Sequence, residues 1–149
     1  MEYLAVLSKE GRRTLVTFPD CPGCDTFAEA AEDVDLVARE ALEGWLEAYL
    51  KEGVAPPMPS GRHKRRVASA TQIIGVQLDP TLAIRLALRW ARQERGLSQG
   101  QLAKLTGVTR QQISLLEAPD TNPTLATLQK VAAALGMDVQ ITLTPKSAA

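Results

Sequence analysis

With 149 residues, the chain is long enough for one ordinary domain or two small ones. Hydrophobic residues make up 45% of the chain and aromatic residues only 4%, so its core must consist mainly of leucine, valine, isoleucine and alanine. No apolar run is long enough to span a bilayer and no signal-peptide pattern precedes the first segment, which together predict a cytoplasmic protein.

The net charge of zero conceals two halves of opposite charge. Residues 1–60 contain 5 basic and 12 acidic side chains, a net charge of −7, whereas residues 61–149 carry +7. This asymmetry predicts two partners of opposite charge. Nucleic acid is the polyanion expected for the second half, and a basic protein is a candidate partner for the first.

The first sixty residues predict a small sheet and one long helix. Residues 3–8 and 13–18 are β-prone and are separated by a Glu-Gly pair, which predicts a hairpin. A Thr-x-x-Glu capping box at Thr26 and apolar residues at every third or fourth position then predict an amphipathic helix over residues 26–52. Gly53 stands where a glycine would end that helix.

The stretch TFPDCPGC, residues 17–24, has three interpretations. Cys21 and Cys24 have the spacing of a redox pair, but the predicted helix starts later and the α/β frame of such proteins is missing. They also have the spacing of half a zinc site, but four ligands are needed and His63 is the only histidine. The prolines and the glycine favour the third interpretation, a rigid turn with no metal. Whether the two cysteines can form a disulfide is left open by the pattern.

Residues 54–71 have the composition of a connection, because prolines and then a basic run replace any helical or strand pattern. The run Arg62–Arg66 has three interpretations: a solvated linker, a phosphate-binding segment, or a protease-sensitive hinge. Residues 72–78 predict a third strand that returns to the first sheet, because a hairpin and one helix form only a thin core.

From Asp79 onward, capping residues and glycines divide the chain into short helices. Asp79 followed by proline predicts a helix start, and Gly96 predicts the end of that helix. Capping boxes then begin at Ser98 and Thr109, with Gly107 between them.

Two more elements complete the second half. A further helix is predicted over residues 124–135, followed by Gly136. Residues 138–144 alternate polar and apolar side chains, which predicts a half-buried strand whose unpaired edge, at 139–143, would join two copies. The expected domains are therefore residues 1–60 with the strand 72–78, a basic linker over 61–71, and residues 79–149.

Two short helices joined by a turn containing glycine constitute a helix-turn-helix. The side chains expected between the helices have the required character, being apolar at Leu102, Val108, Ile113 and Leu116 and small at Ala103. The sequence LSQGQLAKLTGVTRQQISLLE, residues 97–117, closely resembles the DNA-binding domain of the Xre/Cro type, whose pattern is LSQ-x-x-LA-x-x-x-GV-x-x-x-x-IS-x-x-E. The resemblance covers roughly residues 79–143.

The DNA-contacting residues are expected at the start of the second helix, which enters the major groove. Arginine bonds guanine and glutamine bonds adenine through two hydrogen bonds each, while the amide end of the preceding helix favours phosphate. The predicted DNA-binding residues are Gln99, Thr109, Arg110, Gln111, Gln112 and Ser114.

The first half resembles HicB-type antitoxins. Their N-terminal domain has a strand hairpin, the motif FPDLPGC, a long helix, a glycine and a proline-serine segment, and this chain has FPDCPGC at residues 18–24, Gly53 and PPMPS at residues 56–60. The departure is Cys21, which replaces an aliphatic residue and so keeps an apolar role. The resemblance implies an α+β protein. Its first part is a partial RNase H-like small sheet with a long helix, and its second is an all-α helix-turn-helix with a terminal β-strand.

The resemblance also implies a partner, HicA, a small basic toxin that cleaves messenger RNA. The toxin-binding surface is expected at the corner over residues 18–25 and on the acidic face of the helix. The corner residues proposed for it are Phe18, Asp20, Cys21, Cys24 and Asp25.

We predict no catalysis and no cofactor, because RNase H chemistry needs three or four carboxylates converging on two Mg²⁺ ions and the domain is too short for the full catalytic sheet. The leading hypothesis is an antitoxin that neutralises a HicA-like ribonuclease and represses its own operon as a dimer or higher even oligomer. The alternatives are a stand-alone regulator whose acidic domain binds a ligand or protein, and a metal-dependent nuclease tethered to DNA.

Overall fold

The structure, a computed structural model, describes residues 1–60, 72–119, 121–143 and 145. The predicted linker over 61–71, with the run Arg62–Arg66, lies outside the described residues. The chain forms two compact units, Met1–Ala87 and Leu88–Ala149. In the described part, no helix has the length and hydropathy needed to cross a membrane.

The first unit is built on a four-stranded antiparallel sheet with the strand order β3-β2-β1-β4. The hairpin predicted from the sequence is confirmed, and the fourth strand returns beside the first one, pairing Tyr3 with Val76 and Leu7 with Gln72. The strands are β1 (Glu2–Glu10), β2 (Arg13–Thr17), β3 (Asp25–Ala28) and β4 (Gln72–Gln77).

Helix α1 (Val34–Lys51) contributes the apolar stripe that covers one face of this sheet. Its buried residues recur every four positions, at Ala38, Leu42, Leu46 and Leu50, as the periodicity predicts. They pack over sheet residues that alternate along the strands, because successive side chains of a strand point to opposite faces. Among these are the fully buried Tyr3, Ala5 and Val16.

The predicted start of the helix at Thr26 is wrong. Thr26 lies in β3 and pairs with Val16 of β2, and the helix begins only after Asp33, whose carboxylate accepts hydrogen bonds from two amides of the first turn. Glu29, the expected partner in the capping box, instead forms a salt bridge with Arg13 at 2.7 Å. A free edge of β2 was available for pairing, and that long-range pairing outweighs the local capping pattern. The predicted end is confirmed, since Gly53 adopts φ 76°.

The second unit is helical. Helix α2 (Pro80–Glu94) spans the boundary between the units and is followed by α3 (Gln99–Thr106), α4 (Arg110–Glu117) and α5 (Leu125–Ala134). Both predicted capping boxes are formed, at Ser98 and at Thr109. Gly107 takes φ 65° between α3 and α4, a left-handed conformation that costs a glycine little. The helix-turn-helix is therefore confirmed, and with it the α+β class.

The predicted terminal strand is absent from the described residues. Residues 137–143 form no β-ladder, and the side chains of Ile141 and Leu143 are 61% and 92% exposed. The physical reason is that an alternating segment becomes a strand only when a neighbouring strand supplies hydrogen bonds. None of the described residues pairs with this segment.

Candidate functional site

The outward face of α4 carries the polar residues expected of a DNA-recognition helix. Ile113 and Leu116 are buried and hold α4 against the rest of the second unit, where α3 contacts both α4 and α5. Arg110, Gln111 and Ser114 are exposed on the other side. The first turn of α4 therefore presents a guanidinium and an amide group to the solvent, and the second turn presents a hydroxyl group.

Two of the predicted DNA-binding residues, Thr109 and Gln112, form the capping box at the N-terminus of α4. The hydroxyl of Thr109 accepts a hydrogen bond from the backbone amide of Gln112 at 3.1 Å, and the side-chain Oε1 of Gln112 accepts one from the amide of Thr109 at 2.8 Å. A glutamine that recognises adenine needs both its oxygen and its nitrogen. The side chain of Gln111 is exposed and forms no hydrogen bond to another described residue, so it is the better placed of the two glutamines.

A buried charged cluster joins helices α2, α3 and α4. Arg92 on α2 donates from Nε and Nη2 to the carboxylate of Glu117, at the end of α4, at 2.5 and 2.8 Å. Its Nη1 donates to the carbonyl of Leu97 at 2.7 Å, and Gln99 at the start of α3 donates to Glu117 at 3.1 Å. The bidentate pair fixes α4 relative to α2, and the bond from Gln99 links α3 to the same carboxylate.

Arg89 lies 3.9 Å from the same carboxylate and is also buried. Burial lowers the pKa of its guanidinium, while Glu117 acts in the opposite direction. The sequence analysis did not identify the arginines of this cluster. It predicted a phosphate contact at Gln99, and in the structure the side chain of Gln99 donates a hydrogen bond to Glu117. The available signal was the spacing of Arg85, Arg89 and Arg92, which places three arginines at the helical positions normally taken by core residues.

The positive charge of the second unit is smaller at its surface than its composition indicates. Residues 88–149 contain seven basic and four acidic side chains, but Arg89 and Arg92 are buried with Glu117. The exposed basic residues in the described part are Arg95, Lys104, Arg110 and Lys130. Among the described residues of the second unit, these four side chains and the helix amides are therefore available for phosphate contacts.

In the first unit, residues 18–25 form a corner made of two consecutive turns. The amide of Cys21 bonds the carbonyl of Phe18, and the amide of Cys24 bonds the carbonyl of Cys21, each at 2.9 Å. In the second turn, Pro22 precedes Gly23, whose φ of 85° is the third-position conformation of a type II turn. The predicted turn within TFPDCPGC is confirmed.

Three of the five predicted toxin contacts point into the core. Phe18, Cys21 and Cys24 are almost completely buried, and the Cys24 thiol lies 3.8 Å from the carbonyl oxygen of Ala41 on α1. Burial is the main reason that the pKa of Cys21 rises to about 12 and that of Cys24 to about 11. Both thiols are free. Such side chains shape the corner but offer a partner no contact surface, which leaves Asp20 and the exposed Asp25.

Residues 54–60, which we call the strap, run back across the first unit and are bonded to it at Pro57 and Ser60. The hydroxyl of Tyr3 donates to the carbonyl of Pro57 at 2.7 Å. The carboxylate of Asp20 accepts from the amide of Ser60 at 2.9 Å and from its hydroxyl at 2.6 Å. Asp20 therefore has a structural role in addition to its position at the corner, and no local pattern could indicate a contact across 40 residues.

The solvent side of α1 carries an acidic stripe, formed by Glu40, Glu43 and Glu47 and preceded by Leu36, which is 51% exposed. Glu43 accepts a hydrogen bond from the amide of Asp79 at 2.6 Å. Among the described residues, no three cysteines, histidines or acids form a group that could hold a metal ion. The stripe is suited to a cationic surface that approaches from outside.

Comparison with protein families assigns each half separately. Residues 3–75 match the family described as HicB-like antitoxin of bacterial toxin–antitoxin system. Residues 88–141 match the helix-turn-helix family. The first match includes β4, and the second begins at the boundary between the two units.

Three relatives are named as helix-turn-helix transcriptional regulators. The chain is 36% identical over 62 residues to the HTH-type transcriptional regulator SutR of Escherichia coli, 42% of this chain and 35% of that protein. An uncharacterized HTH-type transcriptional regulator of Haemophilus influenzae is 45% identical over 51 residues, covering 34% and 52%. A third, from Methanothermobacter thermautotrophicus, is 42% identical over 55 residues, covering 37% and 80%. The chain thus spans a third to a half of the first two proteins.

Among solved structures, a chain of a HicA3 and HicB3 toxin–antitoxin complex matches 54% of this chain and all of its own length, with 27% identity and a TM-score of 0.46.

Proposed function

Because the chain belongs to the helix-turn-helix transcriptional regulators and carries a HicB-like antitoxin domain in its first half, we propose that it is the antitoxin of a cytoplasmic toxin–antitoxin pair. Its first unit binds and neutralises a small basic, HicA-like ribonuclease that cleaves messenger RNA. Its second unit binds operator DNA and represses the operon that encodes both proteins. The observation that carries this proposal is the presence of two surfaces of opposite chemistry on the two compact units of the chain.

The toxin-binding role is supported by the charge and rigidity of the first unit. Residues 1–60 have a net charge of −7, and Glu40, in the acidic stripe on α1, is exposed to solvent. The corner is held by two turns and by the strap, so little order has to be created on binding. A cationic RNA-binding surface on the toxin would meet this acidic surface in place of RNA, and inhibition would follow from steric and electrostatic competition.

Operator binding is supported by the geometry of α4. When the N-terminal turn of α4 enters the major groove, Arg110 can bond a guanine and Gln111 an adenine, each worth roughly 1–3 kcal/mol of discrimination. Ser114 lies one turn further along the same side. Because one such helix contacts few base pairs, two copies are expected on half-sites about one helical turn apart.

The test is a reciprocal pair of substitutions in the full chain. Glu40→Lys reverses a charge in the acidic stripe and should weaken toxin binding, measured by calorimetry and by growth rescue on co-expression with the toxin. Arg110→Ala should weaken binding to the operator fragment by about ten- to a hundredfold, measured by mobility shift. Each variant should retain the other activity.

The chain offers a matched control for each. Glu10→Lys makes the same charge change at the exposed end of β1, outside the stripe and the corner, and Gln129→Ala removes an exposed amide from α5 instead of α4. Equal losses in Glu10→Lys and Glu40→Lys would contradict the stripe as the binding surface. Simultaneous loss of both activities in one variant would contradict two independent surfaces.

The names of the three relatives, all transcriptional regulators, favour a second candidate function. In it, the chain is a stand-alone regulator whose acidic unit binds a ligand or another protein. A neighbouring open reading frame for a small basic protein, and rescue of growth by this chain when that protein is expressed, separate the antitoxin from this alternative.

A further inference from the structure

The corner over residues 18–25 contains both cysteines of the chain, and the proposed function uses neither of them. Cys21 and Cys24 are the first and fourth residues of the second turn, which is closed by the 2.9 Å bond between the Cys24 amide and the Cys21 carbonyl. The Cα atoms of these two positions in a turn lie within about 7 Å of each other. Disulfides join residues whose Cα atoms are about 4.4–6.8 Å apart. The backbone of the turn therefore suits a disulfide between its ends.

The two cysteine side chains also point the same way. Cys21 is 0% exposed and Cys24 3% exposed, so both thiols leave the turn on its inner side and enter the same core. The charge of an ionised Cys24 is one of the causes that raise the pKa of Cys21, an effect that acts between near neighbours. Pro22 and Gly23 fix the turn between them, the first through its ring and the second through a φ of 85°. The pair is thus preorganised before any bond forms.

We propose that Cys21 and Cys24 are a reversible oxidation site, at which a disulfide closes the corner covalently and stabilises the first unit against unfolding. The oxidant is a small-molecule disulfide such as glutathione disulfide. One protein thiolate attacks it and expels a glutathione thiolate, and the second protein thiolate then attacks the mixed disulfide and expels the other. The two protein thiols lose two protons and two electrons, and one glutathione disulfide becomes two glutathione thiols.

The turn couples this oxidation to folding. The folded chain keeps the two thiols adjacent, whereas the unfolded chain lets them separate, so the effective concentration of one thiol at the other is higher in the folded protein. Thermodynamic linkage is reciprocal. The factor by which folding favours the disulfide must therefore equal the factor by which the disulfide favours folding.

Opening of the corner controls access to the site. The attacking species is the thiolate, and burial is the main cause that raises the pKa of Cys21 to about 12 and that of Cys24 to about 11. The closed corner therefore reacts slowly at neutral pH. Asp20, which adjoins Cys21, accepts two hydrogen bonds from Ser60 of the strap. Release of the strap is expected to let the oxidant reach the pair.

The first experiment measures the equilibrium of the wild-type full chain with glutathione. The protein is equilibrated at a series of ratios of glutathione disulfide to glutathione, in buffer and in urea that unfolds the first unit, and its free thiols are counted by alkylation and mass spectrometry. The effective concentration of the thiols should be about tenfold or more higher in the folded protein. An equal or lower value in the folded protein overturns the proposal, as does a mixed disulfide or a crosslinked dimer as the main product.

The second experiment compares the unfolding of the oxidised and reduced wild type in urea. Hydrogen exchange over residues 2–17, in β1 and β2, reports on the first unit. The oxidised protein should unfold at higher urea, and its gain in the folding equilibrium constant should match the factor found with glutathione. An oxidised protein that is no more stable than the reduced one overturns the proposal.

The third experiment tests the turn with a pair of matched variants. Gly23→Ala keeps both thiols but places a Cβ at φ 85°, a conformation that strains alanine, with no other atom within 4 Å of that Cβ. Gly11→Ala makes the same change at φ 64° in the turn between β1 and β2, again in open space. Gly23→Ala should lower the effective concentration several-fold, and Gly11→Ala should leave it unchanged. Equal values for the two variants would contradict preorganisation by the turn.

The fourth experiment tests the strap. Ser60→Ala removes the hydroxyl that donates to Asp20 at 2.6 Å and should speed oxidation at neutral pH by about threefold or more, because the corner opens more often. Ser8→Ala, in β1 opposite Leu15, is the control and should react at the wild-type rate. Equal rates for the two variants would overturn control by the strap. None of these measurements involves toxin or DNA, so the oxidation site stands or fails independently of the proposed function.

Discussion

The two units reach stable folds by different means. The first depends on contacts between residues far apart in the chain, because β4 pairs with β1 in a register that sets Glu2 against Gln77. The second depends on signals within a few residues, such as the capping boxes at Ser98 and Thr109 and the turn at Gly107. The difference teaches that local signals can define a helical motif, whereas a small sheet is defined only when all its strands are present.

The units also place their charges differently. Acidic side chains of the first unit lie mostly at its surface, but the second unit buries a glutamate between arginines. Net charge alone would therefore overestimate the surface potential of the second unit. The following predictions test this comparison, beginning with the largest expected effect.

Glu117→Ala should destabilise the second unit by about 3–5 kcal/mol, because it leaves Arg92 buried without its carboxylate. The expected result is loss of helix protection in hydrogen exchange over residues 88–135, while the first unit stays protected. Thermal unfolding followed by circular dichroism gives the magnitude.

The control for this prediction is the triple variant Arg89→Leu with Arg92→Met and Glu117→Leu, which removes both arginines that lie against this carboxylate. Replacing a buried ion pair by apolar side chains is often neutral or stabilising, so this variant should recover most of the loss. If Glu117→Ala alone costs less than about 1 kcal/mol, the cluster is not what fixes α4.

Leu46→Ala should destabilise the first unit by about 2–5 kcal/mol, because Leu46 is fully buried where α1 covers the sheet. Leu36→Ala on the same helix removes the same atoms from a side chain that is 51% exposed, and should cost far less. Urea unfolding measures both. Similar costs for the two leucines would mean that α1 does not pack as described.

Asp33→Ala should cost about 1 kcal/mol, since Asp33 caps the first turn of α1. Glu29→Ala removes an exposed salt bridge with Arg13 and should cost at most a few tenths of that amount. A larger loss of stability in Glu29→Ala than in Asp33→Ala would instead support the helix start at Thr26 that the sequence predicts. Urea midpoints of the two variants at equal salt decide between these outcomes.

The smallest expected change in stability near neutral pH comes from ionisation of the two thiols of the corner, Cys21 and Cys24. The pKa of Cys21 is raised from 9.0 to about 12 and that of Cys24 to about 11, so the folded state favours the neutral thiols. Their contribution is fully present below pH 9 and is lost as the pH rises from 9 towards 11–12. The unfolding midpoint of the wild type should thus fall more steeply between pH 9 and pH 10.5 than that of Cys21→Val. Parallel curves for the two proteins would contradict this.

Much of the fold was predictable because caps and glycines act locally. Asp79, Ser98, Thr109 and Gly107 each indicate a helix end without reference to the rest of the chain, and each is where the sequence predicts. The start of α1 was not predictable in this way, because Thr26 satisfies a local capping pattern but lies in β3. The competing information, a free edge on β2, exists only in the folded sheet.

The candidate sites were predictable in position but not in detail. The pattern located α4 and the corner, yet it did not show that Gln112 is used in a capping box or that Phe18 is buried. The bond between Asp20 and Ser60 joins residues forty positions apart. Side-chain roles of this kind depend on which neighbours three-dimensional packing supplies, and spacing in the sequence does not contain that information.

The pairing of β4 with β1 has a consequence for turnover of the protein in the cell. A protease that cut the chain between Ser60 and Gln72 would leave a C-terminal fragment whose first strand is still bonded to β1 along the whole of β4. A single cleavage would therefore not separate the DNA-binding part from the acidic part. Separation of the two fragments would require β4 to be pulled out of its sheet first.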